Sequence, residues 1–448
     1  MIHRKIITEL NLWKNKSDRK PLILRGARQV GKTTVIHDFS SQFDVFLSLN
    51  LEIPSDRKLF ETNEDIHQLI RAIHFHCKQK QSDNPTLLFI DEIQFSAKAI
   101  SMLRYFYEEL PTIYVIAAGS LLETLMDTNK ISFPVGRVEY RKLHPISFIE
   151  FLEGIGEHYD RDLINDLNAE LVHDRIIKHF NTFTLIGGMP AIVANYGANK
   201  DIVGLYEIYE SLLESYKDDI EKYANSDTLS KVIRHIIDTA WGYAGEQISF
   251  ENFGASRFKS REMSIAFKIV EKALLLELTY PIMEVKFPLI QDFRKKPKLI
   301  LLDVGLVNFA ARLQEEVFLS KDIQDAWRGK IAEQVVAQEL LALNFHVSER
   351  HYFWRRNKEG SQAEVDFVFP YKYKGMLIPI EVKSGLIGKL KSLHLYMDEC
   401  SHTTAIRIWS KSFLKEEVQT PKGKKFTLLN VPFYYVCILE KVLQKYID

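Results

Sequence analysis

Gly26-Ala27-Arg28-Gln29-Val30-Gly31-Lys32-Thr33 fits G-x-x-x-x-G-K-[ST], the pattern of a phosphate-binding loop. The chemistry dictates the residue types. Gly26 and Gly31 let the backbone turn tightly, so the N–H groups of Ala27, Arg28, Gln29, Val30 and their neighbours can aim at one anion. Lys32 brings a point charge to the outer phosphates, and Thr33 offers a hydroxyl to Mg²⁺. Pro21-Leu22-Ile23-Leu24 is a short apolar run that reads as a strand. From Thr34, residues 34–40 read as a helix whose N-terminus adds its dipole to the anion site. A glycine turn that only joins strand to helix would not need three fixed positions and both flanks.

Downstream, Thr86-Leu87-Leu88-Phe89-Ile90-Asp91-Glu92 reads as a buried parallel strand ending in two carboxylates. Ligands bind at that edge of an open α/β sheet. Asp91 would hold Mg²⁺ through water, and Glu92 would polarise the attacking water as general base. Residues 112–118 form another apolar run, closing in Gly119-Ser120. Ser120 reads as a sensor of the γ-phosphate, as an N-cap for 121–126, or as both. Arg137 lies where a guanidinium could reach the nucleotide of a neighbouring subunit, an arginine finger in a homo-oligomer. The plainer reading of Arg137 is a surface ion pair.

The order strand, phosphate loop, helix, strand, helix, acidic strand, polar-ended strand, strand describes a P-loop core of βαβ units. Three pieces, Gly-Ala-Arg-Gln-Val-Gly-Lys-Thr, Phe-Ile-Asp-Glu-Ile-Gln and Val-Gly-Arg-Val-Glu-Tyr, precede Pro145-Ile146-Ser147-Phe148-Ile149-Glu150-Phe151. Together they resemble a widespread prokaryotic family of AAA+-like ATPases with a second, poorly characterised C-terminal domain. The resemblance implies an AAA+ fold and ATP as the nucleotide.

The chain has 448 residues, which suggests two to four domains. Apolar content of 46% and charged content of 26% permit sizeable cores. The formal net charge is zero, so any nucleic-acid surface must be local. Cys77, Cys400 and Cys437 are far apart and lack metal-ligand spacing, which suits a reducing compartment. No signal peptide is evident, and no apolar run reaches the roughly 18 residues of a membrane span. The expected location is cytoplasmic, away from membranes.

The expected division is an ATPase core at 1–148, a helical lid at 149–225, a winged-helix-like and connecting segment at 226–325, and a further α/β domain at 326–448. In the lid, Leu185-Ile186-Gly187-Gly188-Met189-Pro190-Ala191 demands a tight turn. Helices followed by a strand pair suggest the winged helix, as in the family; it either contacts DNA or only links the ATPase to the rest. Asp303, after an apolar strand and before a glycine, suits a cap or turn as well as it suits chemistry.

In the last domain, 329–343 reads as a helix carrying Glu333, and 353–356 as a strand. Trp354, Arg355 and Arg356 could contact nucleic acid, or belong to an edge strand covering the core. Residues 363–369 alternate as one strand, with Glu364 and Asp366 on one face. Leu377-Ile378-Pro379-Ile380-Glu381-Val382-Lys383 would be its hairpin partner, with Glu381 and Lys383 on the same side. Carboxylates gathered this way bind a hard cation such as Mg²⁺, and the lysine can orient a water. The set Glu333, Asp366, Glu381, Lys383 resembles the PD-(D/E)xK nuclease superfamily. That resemblance implies a restriction-endonuclease-like fold, with Glu333, Asp366 and Glu381 as metal ligands and Lys383 beside them. No proline directly precedes Asp366, a departure from the pattern.

Two functions follow as expectations. In the first, nucleotide state in the ATPase gates a metal-dependent nuclease acting on nucleic acid, DNA before RNA. In the second, the protein is an ATP-dependent switch whose nuclease-like domain is idle and only binds DNA or a protein.

Overall fold

The computed structural model describes residues 2–119, 134, 136–221, 224, 226–312, 329–358, 360–383 and 390–447. Ser120 lies outside them.

The N-terminal domain is built on five parallel strands: β1 (Leu22–Arg25), β2 (Val45–Asn50), β3 (Thr86–Asp91), β4 (Ile113–Gly119) and β5 (Glu139–Lys142). Their order is β2-β3-β4-β1-β5. Helices α1 (Ile6–Lys14), α2 (Lys32–Ser40), α3 (Pro54–Thr62), α4 (Ile66–His76) and α5 (Ala97–Glu109) flank the sheet. Strand residues alternate between two cores, as period two requires. Leu22, Leu24, Leu87 and Phe89 join a core that runs on through the rest of the molecule. Ile23, Leu88, Ile90 and Ala117 join a separate core under α4 and α5.

Helices α6 (Phe148–Gly154), α7 (His158–Asn165), α8 (His173–Ile186), α9 (Pro190–Asn199) and α10 (Tyr206–Glu221) follow. Next come α11 (Asp227–Thr239), α12 (Ser260–Lys272), β6 (Leu276–Thr279), β7 (Pro281–Ile282), β8 (Lys298–Leu301) and α13 (Val304–Ala310). In this stretch β6 and β8 pair antiparallel and α11 packs on α12.

The C-terminal domain holds α14 (Lys330–Leu341), β9 (Phe353–Arg355), β10 (Glu364–Val365), β11 (Phe367–Tyr371) and β12 (Met376–Val382). It continues with α15 (Lys391–Glu399), β13 (Thr404–Trp409), β14 (Leu414–Gln419), β15 (Lys425–Pro432) and α16 (Leu439–Ile447). One sheet runs β11-β12-β13-β15-β14, and a second runs β10-β9-β7. Two expectations are corrected here. The stretch 363–369 is not one strand: it breaks at Asp366, so that β10 pairs with β9 and β11 pairs with β12. Strand β9 is central, not an edge, because β7 from the middle segment pairs with its other side. Trp354 is fully buried, edge-on to Tyr396 with Nε1 donating to Met283 O, and therefore has no face for a base.

The segments meet in one joint. Asp303 Oδ1 accepts from Leu306 N at 3.0 Å and caps α13, as its sequence position suggests. Its other oxygen accepts from Gly188 N at 2.6 Å, across 115 positions of sequence. A Cβ on Gly188 would run into Ile146 O, and one on Gly305 into Ile186 O. The glycines are there because two backbones touch. Gly188→Ala should destabilise the fold by about 1–3 kcal/mol, the overpacking range, read as a lowered unfolding midpoint in denaturant.

Helix α14 completes the joint. Gln334 brackets Leu301 by accepting from its N–H at 3.0 Å and donating to its carbonyl at 2.7 Å. Gln338 Oε1 accepts from Val304 N at 2.8 Å. Glu339 accepts from Phe148 N, at the start of α6, with both oxygens at 3.0 and 3.1 Å. Complete burial pushes the Glu339 carboxyl up from 4.5 to about 8. The folded chain then holds a proton that the unfolded chain loses above about pH 4.5, so stability from this group falls as pH rises toward 8. Glu339→Gln keeps an acceptor without the charge. Its melting temperature relative to the wild type should rise between about pH 5 and about pH 8.

Candidate functional sites

The N-terminal site grows from the C-terminal ends of β1 and β3. Gly31 has φ of 94° and Gln29 of 65°, so the loop bends through the left-handed region twice before α2 begins. Lys32 Nζ donates to Gly26 O and Ala27 O, each at 2.9 Å. Burial lowers its pKa, against the pull of Glu92 and Asp91. Thr33 Oγ1 donates to Asp91 Oδ2 at 2.6 Å. The loop hydroxyl and the strand carboxylate therefore share the spot where a hard cation would sit.

Glu92 follows at φ 49°, a left-handed position that a non-glycine residue rarely takes. Burial raises its carboxyl above the usual range, opposed by the hydrogen bond from Gln94 and the charge of Lys32. Gln94 Nε2 donates to Glu92 Oε2. Gly119 leaves the room that Gln94 fills; a Cβ there would meet Gln94 Oε1.

Neighbouring elements grip the same loop. Arg4 donates to Val30 O at 3.0 Å, to His144 O at 2.7 Å and to Glu150 Oε1 at 3.0 Å. Burial would raise Glu150, but the charges of Arg4 and Lys5 outweigh it and hold the carboxyl low. From α10, Asp219 pairs with Arg28 at 2.9 Å and Tyr216 OH donates to Arg28 O at 3.2 Å. A cavity of about 720 Å³ opens beside the loop, lined by Arg4, Gly31, Thr34, Val35, Pro190 and Ala194 among others. That volume is in the range of small-ligand sites.

Arg137 lies elsewhere. It precedes β5, whose first residue pairs with the first residue of β1, at the end of the sheet opposite the loop. There it donates to Glu108 Oε1 at 3.0 Å and is about half exposed.

The C-terminal cluster draws on β8, α14, β10, the break between β10 and β11, and the end of β12. Asp366, at the break between β10 and β11, accepts from Val382 N at 2.8 Å. Lys383 Nζ donates to Glu381 Oε1 at 2.6 Å. The other oxygen, Glu381 Oε2, is buried without a hydrogen-bond partner. Glu333 enters from α14, but its near partner is Lys298 of β8, at 2.9 Å. Lys298 is 3% exposed and also pairs with Glu364 at 3.1 Å. Burial would lower the Lys298 ammonium; Glu333, Glu364 and Asp366 outweigh it and raise its pKa. Glu333 and Glu381 are both raised, first by burial and then by the nearby charge of Asp366.

Four carboxylates thus face two lysine ammoniums. The surplus of negative charge, the orphaned Glu381 Oε2 and the all-oxygen donor set fit a divalent hard cation. Lys298 already engages one oxygen of Glu333, Oε2. Among the described residues, the trio whose ligand atoms all lie within 4.8 Å of one another is another one, Glu157, Asp160 and His179. There Arg175 already holds Asp160.

Sequence reasoning missed Lys298, Gln94 and Arg4, and placed Glu364 beside Asp366 without giving it a role. A lysine directly before the apolar run 299–302 was the signal for Lys298. No helix among the described residues is long and apolar enough to cross a membrane.

Residues 18–152 match the family described as "AAA domain". Residues 177–317 and 328–434 match two domains of unknown function, DUF8612 and DUF4143. No curated protein matches. Solved structures with a similar course of chain include the Walker-type ATPase PABY2304 of Pyrococcus abyssi, 13% identical, covering 69% of this chain and 96% of that one, with a TM-score of 0.47. The RuvB Holliday junction branch migration motor of Thermotoga maritima is 15% identical, with coverage of 65% and 93% and a TM-score of 0.28. The Orc1 protein of Aeropyrum pernix in complex with DNA is 11% identical, with coverage of 70% and 92% and a TM-score of 0.27. Strand order, phosphate loop and family match together make the N-terminal part of the chain an AAA-type P-loop ATPase domain.

Proposed function

We propose that this protein hydrolyses ATP and uses the nucleotide state to gate a metal-dependent nuclease-like site acting on nucleic acid, DNA before RNA. In the ATPase half, the amides of 27–33 and Lys32 hold the phosphates. Thr33 and Asp91 hold Mg²⁺, which neutralises charge on the phosphates. Glu92 takes a proton from the attacking water as it adds to the γ-phosphorus, and ADP leaves. The cavity walled by Arg4, Val35 and Pro190 receives the nucleoside. Arg137, half exposed at the end away from its own loop, is the candidate finger toward a neighbouring copy.

The observation that carries the gating is a strand and a helix running side by side from one site to the other. Pro190 lines the nucleotide cavity; two residues earlier Gly188 bonds Asp303; five residues before that, Lys298 bonds Glu333. Gln334 and Gln338 pin α14 to the same strand along the way. A lid that closes on nucleotide would pull at Gly188 and be felt at Lys298.

In the C-terminal half, Asp366, Glu381 and Glu333 would hold Mg²⁺ or Mn²⁺. Such an ion polarises a phosphoryl oxygen and makes bound water more acidic. Lys383 orients that water and offsets charge on the phosphate. The second reading, an idle domain that only docks, is favoured by the Lys298 pairs, which already counter Glu333 and Glu364. The experiment is incubation of the purified protein with linear and circular DNA in Mg²⁺ or Mn²⁺, with and without ATP. Cleavage that responds to ATP is expected. No cleavage under any of these conditions would leave the docking reading.

A further inference from the structure

The loop between β7 and β8 projects an unusual surface. Phe287 is 43% exposed, Ile290 70% and Phe293 68%. Interleaved with them are Lys286, Arg294, Lys295 and Lys296, all exposed, against two acidic residues, Glu284 and Asp292. Arg294 is taken by Asp292, at 2.8 and 3.0 Å. Lys286, Lys295 and Lys296 make no ion pair among the described residues.

The loop is held at its base. Asp292 N donates to Pro281 O at 2.9 Å, and Gln291 bridges to Ile282, so the chain laps back on β7. Phe293 stands edge-on to Tyr280, with centroids 4.9 Å apart, which fixes one side of the ring and leaves the other to solvent. Both ends of the loop lead into the acidic cluster. Strand β7 pairs with β9, which pairs with the β10 that ends beside Asp366. At the other end, two residues past Lys296, Lys298 bonds Glu333 and Glu364.

We infer that the 283–297 loop grips a nucleic-acid strand: Phe293 and Phe287 stack on unpaired bases, and Lys286, Lys295 and Lys296 bind the phosphates on either side. Exposed rings supply a face that any base can use, and free ammoniums track the backbone without reading sequence. The preference is for single-stranded or locally opened DNA, since a stacked duplex hides the base faces. The strand would then continue toward Asp366, Glu381 and Lys383. The inference rests on the proposed nucleic-acid-directed site but is tested apart from cleavage.

The test uses the full chain in EDTA, so nothing is cut. A fluorescein-labelled single-stranded DNA oligonucleotide and the same sequence as a duplex are followed by anisotropy over a range of salt. Vesicles of phosphatidylserine and phosphatidylcholine form a parallel sedimentation arm. The wild type should bind single strands more tightly than duplex. Phe293→Ala should weaken that binding about tenfold and leave the salt slope unchanged. Lys295→Gln with Lys296→Gln should weaken it and lower the salt slope by about 0.7 per lysine removed. Lys80→Gln, an exposed lysine of the first domain, should change nothing. The inference is overturned if the loop variants bind as the wild type does. It is equally overturned if the wild type binds no oligonucleotide, or binds vesicles instead. A wild type that binds through the loop yet never cuts would uphold the grip and sink the nuclease reading.

Discussion

Glu92→Gln is expected to bind Mg²⁺–ATP about as tightly as the wild type and to hydrolyse it about 10²–10⁴-fold more slowly. The side chain keeps its size, and its amide oxygen can still accept from Gln94. What it loses is the capacity to take a proton. Glu92 stands where β3 ends, one residue past the carboxylate that meets the Thr33 hydroxyl. The left-handed backbone at this residue costs stability that a plain turn would not need, and such strain collects at working sites. Burial raises the carboxyl, so the acidic limb of the wild-type rate profile should lie above the ordinary value of 4.5. Hydrolysis is lost as pH falls through that limb, because only the ionised form acts as base. Phosphate release under saturating ATP, beside binding of a fluorescent ATP analogue, checks both parts. Wild-type turnover by the variant would remove Glu92 from the role.

Asp366→Ala should abolish DNA cleavage, by at least about 10³-fold, and leave ATP hydrolysis within about twofold of the wild type. Asp366 is the centre of the cluster's electrostatics. Its charge contributes to raising both Glu333 and Glu381 and to holding Lys298 charged. Its contact with Val382 N also fixes β12 against the break between β10 and β11. Without it, Glu381 and Lys383 keep their pair but lose the second carboxylate that a metal needs. Gel cleavage with Mn²⁺ and a coupled ATPase assay on the same preparation separate the two sites. Equal cleavage by the variant would mean that the nuclease activity comes from elsewhere.

How much could be read from the residues alone differed between the two ends. The phosphate loop is eight consecutive residues, and its supporting strands carry their apolar runs in sequence, so local pattern sufficed. The second carboxylate strand was visible for the same reason. Near Asp366 local pattern failed. Residues 363–369 alternate well enough for one strand, and nothing local says that the chain changes sheets there. Across the break the chain passes from the sheet of β7 and β9, one strand of which comes from the middle segment, to the sheet of β12. Lys298 was hidden similarly, since it meets Glu333 across 35 positions and an intervening stretch of chain. Gly187-Gly188 read as a tight turn, whereas for Asp303 a cap, a turn and a chemical role stood level until the structure made it the cap of α13. That they bond to each other is a property of packing and cannot be seen at either address.

The central claim is that nucleotide at Lys32 is felt at Lys298 through the strand and helix between them. Hydrogen–deuterium exchange of peptides covering 298–303 and 330–339 tests it most directly, on the Glu92→Gln protein with and without Mg²⁺–ATP. The account predicts that exchange in both peptides changes when nucleotide binds, and that Lys32→Ala shows no such change. Identical exchange in both peptides, with nucleotide demonstrably bound, would contradict it.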